Sequence, residues 1–252
     1  MTTPRTAPLI GRTRERGIET LSLDSPATRN ALSHALVTEL TDALTNCHKD
    51  DDIRAVVLTH TGNTFSAGAD LKDPPRPKAV PGLLQQILEL RKPVVARVAG
   101  HVRAGGLGLL GACDIAIASE TSTFAFTEVR IGVAPAVISL PLLPRVDPRA
   151  LTRYCLTGET FGAAEAARIG LVTQSAGDTD LDEALAPVLD GLRRASPKAL
   201  ARTKKLLTAK VLEAFVEDVG SMTWLSASLF ADRDAREGMA AFLERRDPPW
   251  VL

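Results

Sequence analysis

Three short stretches combine small residues with ionisable ones in a way that could support chemistry. The first is Thr64-Phe65-Ser66-Ala67-Gly68-Ala69-Asp70-Leu71-Lys72, which follows an apolar run at residues 55–59. Residues this small let a backbone approach a ligand closely. The second is Ala99-Gly100-His101-Val102-Arg103-Ala104-Gly105-Gly106-Leu107-Gly108-Leu109-Leu110-Gly111, which leaves a second apolar run at residues 93–98. The third, Phe124-Ala125-Phe126-Thr127-Glu128-Val129-Arg130-Ile131-Gly132, carries one acid among apolar neighbours. A carboxyl projecting into a dry cleft there would have its pKa raised, which suits proton transfer near neutral pH.

Each stretch also has a plainer reading: a tight surface turn, a glycine-rich helix start, and a solvated or capping glutamate. Other chemistries fit less well. Ser66-Ala67-Gly68 is half of a G-x-S-x-G nucleophile turn, but Thr64 stands where the first glycine belongs. Gly106-Leu107-Gly108-Leu109-Leu110-Gly111 matches G-x-G-x-x-G, so a nucleotide-dependent oxidoreductase stays open as an alternative. That motif normally follows the first strand of its unit, whereas here several strands precede it. His34, His48, His60 and His101 form no metal-ligand spacing. Cys47, Cys113 and Cys155 give neither a C-x-x-C pair nor a disulfide framework, and read as reduced thiols of a cytoplasmic protein. Lys+Arg and Asp+Glu both total 30, which argues against a nucleic-acid-coating protein. Aromatics make up only 4% of the 252 residues, against a base-stacking platform. No run of about 18 apolar residues is present, and the N-terminal stretch is broken by Pro and Arg, so no membrane span or signal segment is expected.

The elements that must position these stretches follow from periodicity. Residues 9–14 and 18–23 flank Glu15-Arg16-Gly17 as a hairpin. Ser33 is a plausible N-cap for a helix to about Cys47, with Leu36, Val37, Leu40 and Leu44 at helical spacing. Residues 55–59, 93–98 and 114–118 read as buried strands, each of the first two ending in a small-residue turn, at 62–68 and 99–108. A helix is expected at 83–90, after a Pro-rich loop at 73–81. Strands alternating with helices predict an α/β layered fold. Beyond residue 195 the pattern is helical, at 196–207, 212–230 and 234–245, so the chain divides into a core at 1–195 and a helical segment at 196–252.

The three stretches together, with two further segments, resemble the crotonase (enoyl-CoA hydratase/isomerase) superfamily over nearly the whole chain. Arg29-Asn30-Ala31-Leu32 is similar to an early family segment, and Phe65-Ser66-Ala67-Gly68-Ala69-Asp70-Leu71 to its F-x-A-G-A-D-[LI] motif. Gly100 through Asp114 resembles the second glycine-rich motif. Arg236-Glu237-Gly238-Met239, Phe242-Leu243-Glu244-Arg245-Arg246 and Pro248 resemble its C-terminal ending. The resemblance implies a crotonase-like β/α spiral, an acyl-CoA thioester substrate and no cofactor beyond the coenzyme A of that substrate. It implies an oxyanion hole from the N–H groups of Ala69 and Gly105, with Glu128 as general acid/base. It implies CoA contacts from Arg29, Ala67, Ala69, Asp70, Leu71, Lys72, Gly105, Gly106 and Arg245 or Arg246, and assembly as a trimer or a dimer of trimers. A larger side chain at Gly105 or Gly106 is expected to crowd the thioester.

One position departs from the pattern. Hydratases of this superfamily carry a first catalytic glutamate three residues after the position of Gly105, and here that residue is Gly108. Enoyl-CoA hydration is the first expectation. Δ3,Δ2-enoyl-CoA isomerisation, which needs one carboxylate, is the next, and a methylglutaconyl-CoA hydratase-like enzyme or a CoA-thioester binder without turnover remain alternatives.

Overall fold

The computed structural model describes residues 7–252. Residues 1–6, part of the stretch read as lacking a signal segment, lie outside the described residues. The chain begins with the hairpin β1 (Ile10–Glu15) and β2 (Ile18–Leu23), then α1 (His34–Lys49), β3 (Ala55–His60) and β4 (Thr64–Ser66). It continues through α2 (Ala79–Glu89), β5 (Val94–Val98), β6 (His101–Arg103), α3 (Gly105–Ala112), β7 (Ile115–Ser119) and β8 (Thr123–Ala125). After a 3-10 turn at Glu128–Ile131 come α4 (Ala136–Ser139), α5 (Pro148–Thr157), β9 (Phe161–Gly162), α6 (Ala163–Arg168) and β10 (Gln174–Ala176). The helices α7 (Leu181–Arg194), α8 (Pro197–Phe230) and α9 (Arg233–Glu244) complete it.

Two sheets are interleaved along the chain. The larger has the order β1-β2-β3-β5-β7-β10, and the smaller β4-β6-β8-β9. Each long strand is followed at once by a short one: β3 by β4, β5 by β6, β7 by β8. Every turn of this spiral therefore adds one strand to each sheet, and those pairings are parallel. Parallel strands buried on both faces need continuous apolar runs. In β3, Val56 and Leu58 face one cluster with α1 and α2, while Ala55 and Val57 face a second with Leu181 and Leu185 of α7.

The smaller sheet is what the sequence reading did not resolve. The stretches at 62–68 and 99–108, read as turns, contain β4 and β6. Strands of three residues are too short to show period-2 alternation. Gly100 permits their approach, because a Cβ there would collide with the main chain of Asn63. The helix expected at 83–90 starts earlier, at Ala79, so the Pro-rich loop is shorter than read.

The C-terminal helices also differ from expectation. Residues 196–230 do not break near 208–211; α8 runs unbroken for 34 residues. Lys204, Thr208, Val211 and Phe215 are its buried positions and share one face. Lys204 donates to Asp114 at 2.7 Å and to the carbonyl oxygens of Ile87 and Lys92, fastening α8 to the core. The expected break falls at Thr208, a buried polar residue that interrupts the apolar period and whose hydroxyl donates to Lys204 O one turn back at 2.9 Å.

Asn30 links the outer loops to the smaller sheet. It is fully buried at φ 51°. Its Oδ1 accepts from Ser25 N–H at 2.7 Å, and its Nδ2 donates to the carbonyl oxygens of Thr61 and Thr64 at 3.0 and 2.7 Å. Asn30→Ala strands these groups and places alanine in a left-handed conformation. The expected loss is about 2–4 kcal/mol in urea denaturation, since each stranded buried group costs about 1–3 kcal/mol; a change under 0.5 kcal/mol would contradict this role.

Candidate active site

The three chemistry-bearing stretches leave the same edge of the smaller sheet. β4, β6 and β8 lie side by side and parallel. Ala69, Gly105 and Glu128 each follow the last residue of one of these strands by two or three positions. Parallel sheets place ligands beyond the carboxyl ends of their strands. Ala104 N–H donates to Ala125 O at 3.1 Å, which carries the β6–β8 pairing into the loops.

Ala69 is held from one side only. Leu32 N–H donates to Gly68 O at 2.7 Å, and Asp70 N–H donates to Leu32 O at 3.2 Å. Those bonds engage the peptide groups flanking Ala69, so its own N–H points away from Leu32. On that other side stands Gly105. A Cβ built on Gly105 would lie 3.5 Å from Ala69 N, and one built on Gly68 would lie 3.1 Å from Gly105 N. Among the described residues neither Ala69 N–H nor Gly105 N–H has an acceptor.

Gly105 is the first residue of α3, whose N-terminus has no side-chain cap. The orphan N–H groups and the helix dipole favour a negative oxygen there. Ala104 just before it sits at φ 45°, ψ −121°. This is strained for an L-residue and costs about 1–3 kcal/mol, a strain that clusters at functional sites. Gly68 opposite is at φ 91°, where glycine alone is comfortable.

Glu128 opens the 3-10 turn that follows β8 and is 8% exposed. Its Oε2 is buried without a partner among the described residues. Burial pushes its pKa up to about 7, against a smaller lowering by its own backbone N–H. Cys155, on α5, is close enough that the Glu128 charge adds to the burial that raises its thiol to about 12. That neighbour was not expected from the sequence, since nothing in the order of residues pairs position 155 with 128.

The other predicted residues are distributed more loosely. Ala67 N–H donates to Arg29 O at 3.0 Å, so Arg29 reaches this loop through its main chain, with its side chain exposed. Asp70 Oδ1 accepts from the N–H groups of Lys72 and Asp73, shaping the loop. Leu71 is half-buried and Lys72 exposed. Arg246 is committed to Glu237 and Glu244, each at 2.6 Å. Arg245 caps α9, exposed, with no ion pair or side-chain hydrogen bond among the described residues. Gly106 corrects an expectation: a Cβ there would meet Ser66 Cβ and O at 2.9 Å, so the crowding is against β4. Only Gly105 of the two borders the N–H pair.

Gly108 gains a structural cause. A Cβ at 108 would lie 2.9 Å from Cβ and Cγ2 of Ile138 on α4. The space a longer side chain would need is filled by α4, which packs on α3. Position 138 carries no sequence signal linking it to 108.

The site thus consists of two main-chain N–H groups without acceptors among the described residues and a buried carboxyl, at adjoining strand ends of an α/β spiral. The Enoyl-CoA hydratase/isomerase family profile matches residues 13–251, and the chain belongs to that family. A protein named probable enoyl-CoA hydratase from Mycobacterium bovis is 31% identical over 246 residues, covering 94% of this chain and 96% of that one. The 2,3-dehydroadipyl-CoA hydratase of Escherichia coli is 30% identical over 244 residues, covering 93% and 95%. The crystal structure of an enoyl-CoA hydratase from Mycobacterium avium superposes with a TM-score of 0.91 at 47% identity, covering 98% and 100%. These parallels show the crotonase fold.

Glu128 makes stability depend on pH. The unfolded chain releases this proton near pH 4.5, whereas the folded protein keeps it to about 7. Between those values the folded state binds more protons, so the Glu128 contribution to stability falls as pH rises and stays low above 7. Glu128→Gln, which mimics the neutral acid, is expected to match the wild type at pH 4 and exceed it by about 3 kcal/mol at pH 8. Urea denaturation at both values checks this; equal stability at pH 8 would contradict a raised pKa.

Proposed function

We propose that this protein hydrates a 2-enoyl-CoA thioester through an enolate. The carrying observation is the pair of acceptor-free N–H groups, Ala69 and Gly105, beside the strand end that bears Glu128. The thioester oxygen accepts from both N–H groups. The Glu128 carboxylate takes a proton from water as the water oxygen bonds to C3, and the electron pair moves through C2 to the thioester oxygen. The protonated Glu128 then delivers that proton to C2 as the enolate collapses. A pKa near 7 populates both forms of the carboxyl at working pH. The acyl group arrives on coenzyme A, and the reaction as written needs no other cofactor. The names of the relatives support this reading.

A second reading, 3-enoyl to 2-enoyl isomerisation, is favoured by one contact. Ile138 occupies the space a second carboxylate at position 108 would need. Isomerisation requires Glu128 alone, removing a proton from C2 and returning one to C4. A binder without turnover is disfavoured, because an unpartnered buried carboxyl costs stability that binding does not require.

Leu206, Leu207, Val216 and Trp224 of α8 are more than 60% exposed, and Phe242 and Leu243 of α9 more than half. Apolar side chains of this size at the surface support assembly with further copies of the chain. The proposed assembly is a trimer, or two trimers, and sedimentation equilibrium returning the monomer mass at micromolar concentration would rule it out.

The assignment is tested by offering purified protein a 2-enoyl-CoA and a 3-enoyl-CoA. Turnover of the first, with kcat reduced about 10²–10⁴-fold in Glu128→Gln, is the expected result. Turnover of the 3-enoyl substrate alone selects isomerisation, and turnover of neither sinks both. The kcat–pH profile of the active wild type is expected to show a limb near 7.

A further inference from the structure

The C-terminal segment Arg236-Glu237-Gly238-Met239 has no part in the chemistry above, yet it touches the element that carries Glu128. We propose that Gly238 is a positioning residue for Glu128, holding the 3-10 turn Glu128–Ile131 by a main-chain contact from α9. The inference rests on the reading of Glu128 as the acid/base group.

The contact is reciprocal. A Cβ built on Gly238 would lie 2.6 Å from the carbonyl carbon and oxygen of Ile131 and 2.7 Å from its Cα. From the other side, a Cβ built on Gly132 would lie 2.7 Å from the carbonyl carbon and oxygen of Asp234 and 2.8 Å from Ala235 N. All these neighbours are main chain, which cannot swing aside as a side-chain end does. Gly132 also closes the turn, at φ 75° with its N–H directed to the carbonyl oxygens of Glu128 and Val129. One helix thus presses on both the last residue of the turn and its cap.

The sequence of α9 suits this task. Ala235, Gly238 and Ala241 are its buried residues, spaced three apart, so the face lying on the turn is built from small side chains. A methyl group at 238 needs about 3.5 Å to its carbon neighbours, so the turn or α9 must shift by about 1 Å. Such a misplacement of a reacting group typically costs about 10²-fold in rate. Alanine is the better helix former, so local propensity favours Gly238→Ala and cannot account for a loss. Other ionisable groups around the turn are Cys155 from α5, Arg130 in the turn, and Asp234, Arg236 and Glu237 on α9, the last paired with Arg246.

The test compares Gly238→Ala with Gly191→Ala, a control on α7 with no atom within 4 Å of its built Cβ. On the thioester that the wild type turns over, Gly238→Ala is expected to lower kcat about 10²-fold with KM changed less than about twofold. Its Glu128 limb in the kcat–pH profile moves to lower pH as water reaches the carboxyl. The control changes none of these. An unmoved limb, with kcat reduced only in proportion to the folded fraction, overturns the inference. A readout independent of turnover separates it from the proposed function: the loss of wild-type stability between pH 4.5 and 7 shrinks in Gly238→Ala. If the wild type turns over no thioester, that slope decides the positioning role alone, and an unchanged slope refutes it.

Discussion

The site depends on how closely two main-chain segments approach, Gly68-Ala69 on one side and Ala104-Gly105 on the other. A Cβ at Gly68 would come within 2.8 Å of Ala104 Cβ, so the gap accepts hydrogen and little else. The approach is possible because β4 and β6 are parallel neighbours, with Ser66 at the end of β4 paired to Val102 of β6. Its consequence is electrostatic. Two N–H groups without acceptors among the described residues are brought side by side, and in the proposed reaction they are in place before any charge develops on the thioester oxygen. Donors fixed in this way need no reorganisation during reaction, which is why groups of this kind are worth about 10²–10³ in rate. The strain at Ala104 is the local cost of holding that geometry.

The carboxyl proposed as the acid/base group is set by the opposite kind of constraint, a partner withheld. Glu128 has a short apolar strand before it, an apolar segment after it, and α5 and α9 packed on its turn. Desolvation then raises its pKa, and among the described residues it has no ion pair. The same packing logic closes position 108. α3 is buried at every residue from Gly106 to Ala112, and its glycines let α4 lie directly upon it. Gly108 and Ile138 are therefore one feature seen from two places in the chain, and together they exclude a longer side chain at position 108.

The C-terminal helices connect this centre to the rest of the molecule. α8 is fastened by Lys204, whose side chain is 5% exposed and whose ammonium is satisfied by Asp114 and two carbonyl oxygens. A buried ion pair of this kind contributes little net stability, because desolvation offsets the attraction. Removing one partner would leave the other charge stranded, so the pair acts to specify where α8 lies. α9 then reaches the Glu128 turn with a face of alanine and glycine.

Much of this was legible in the residues themselves. The hairpin, α1 with its Ser33 cap, and the long parallel strands follow from apolar period and turn chemistry. The small residues around Ala69 and Gly105 and the lone acid at 128 mark the candidate site, because local sequence dictates backbone freedom and side-chain type. Other features came only from tertiary structure. Three-residue strands have no visible period, so the smaller sheet that aligns the three stretches was hidden. The continuity of α8 was masked at Thr208, a polar residue whose burial against the core is decided by packing in space. The contacts of Gly108 with Ile138 and of Gly238 with Ile131, and the influence of the Glu128 charge on Cys155, join positions distant in sequence. Their energies come from desolvation and packing, which depend on what surrounds a residue in space and not on what precedes or follows it.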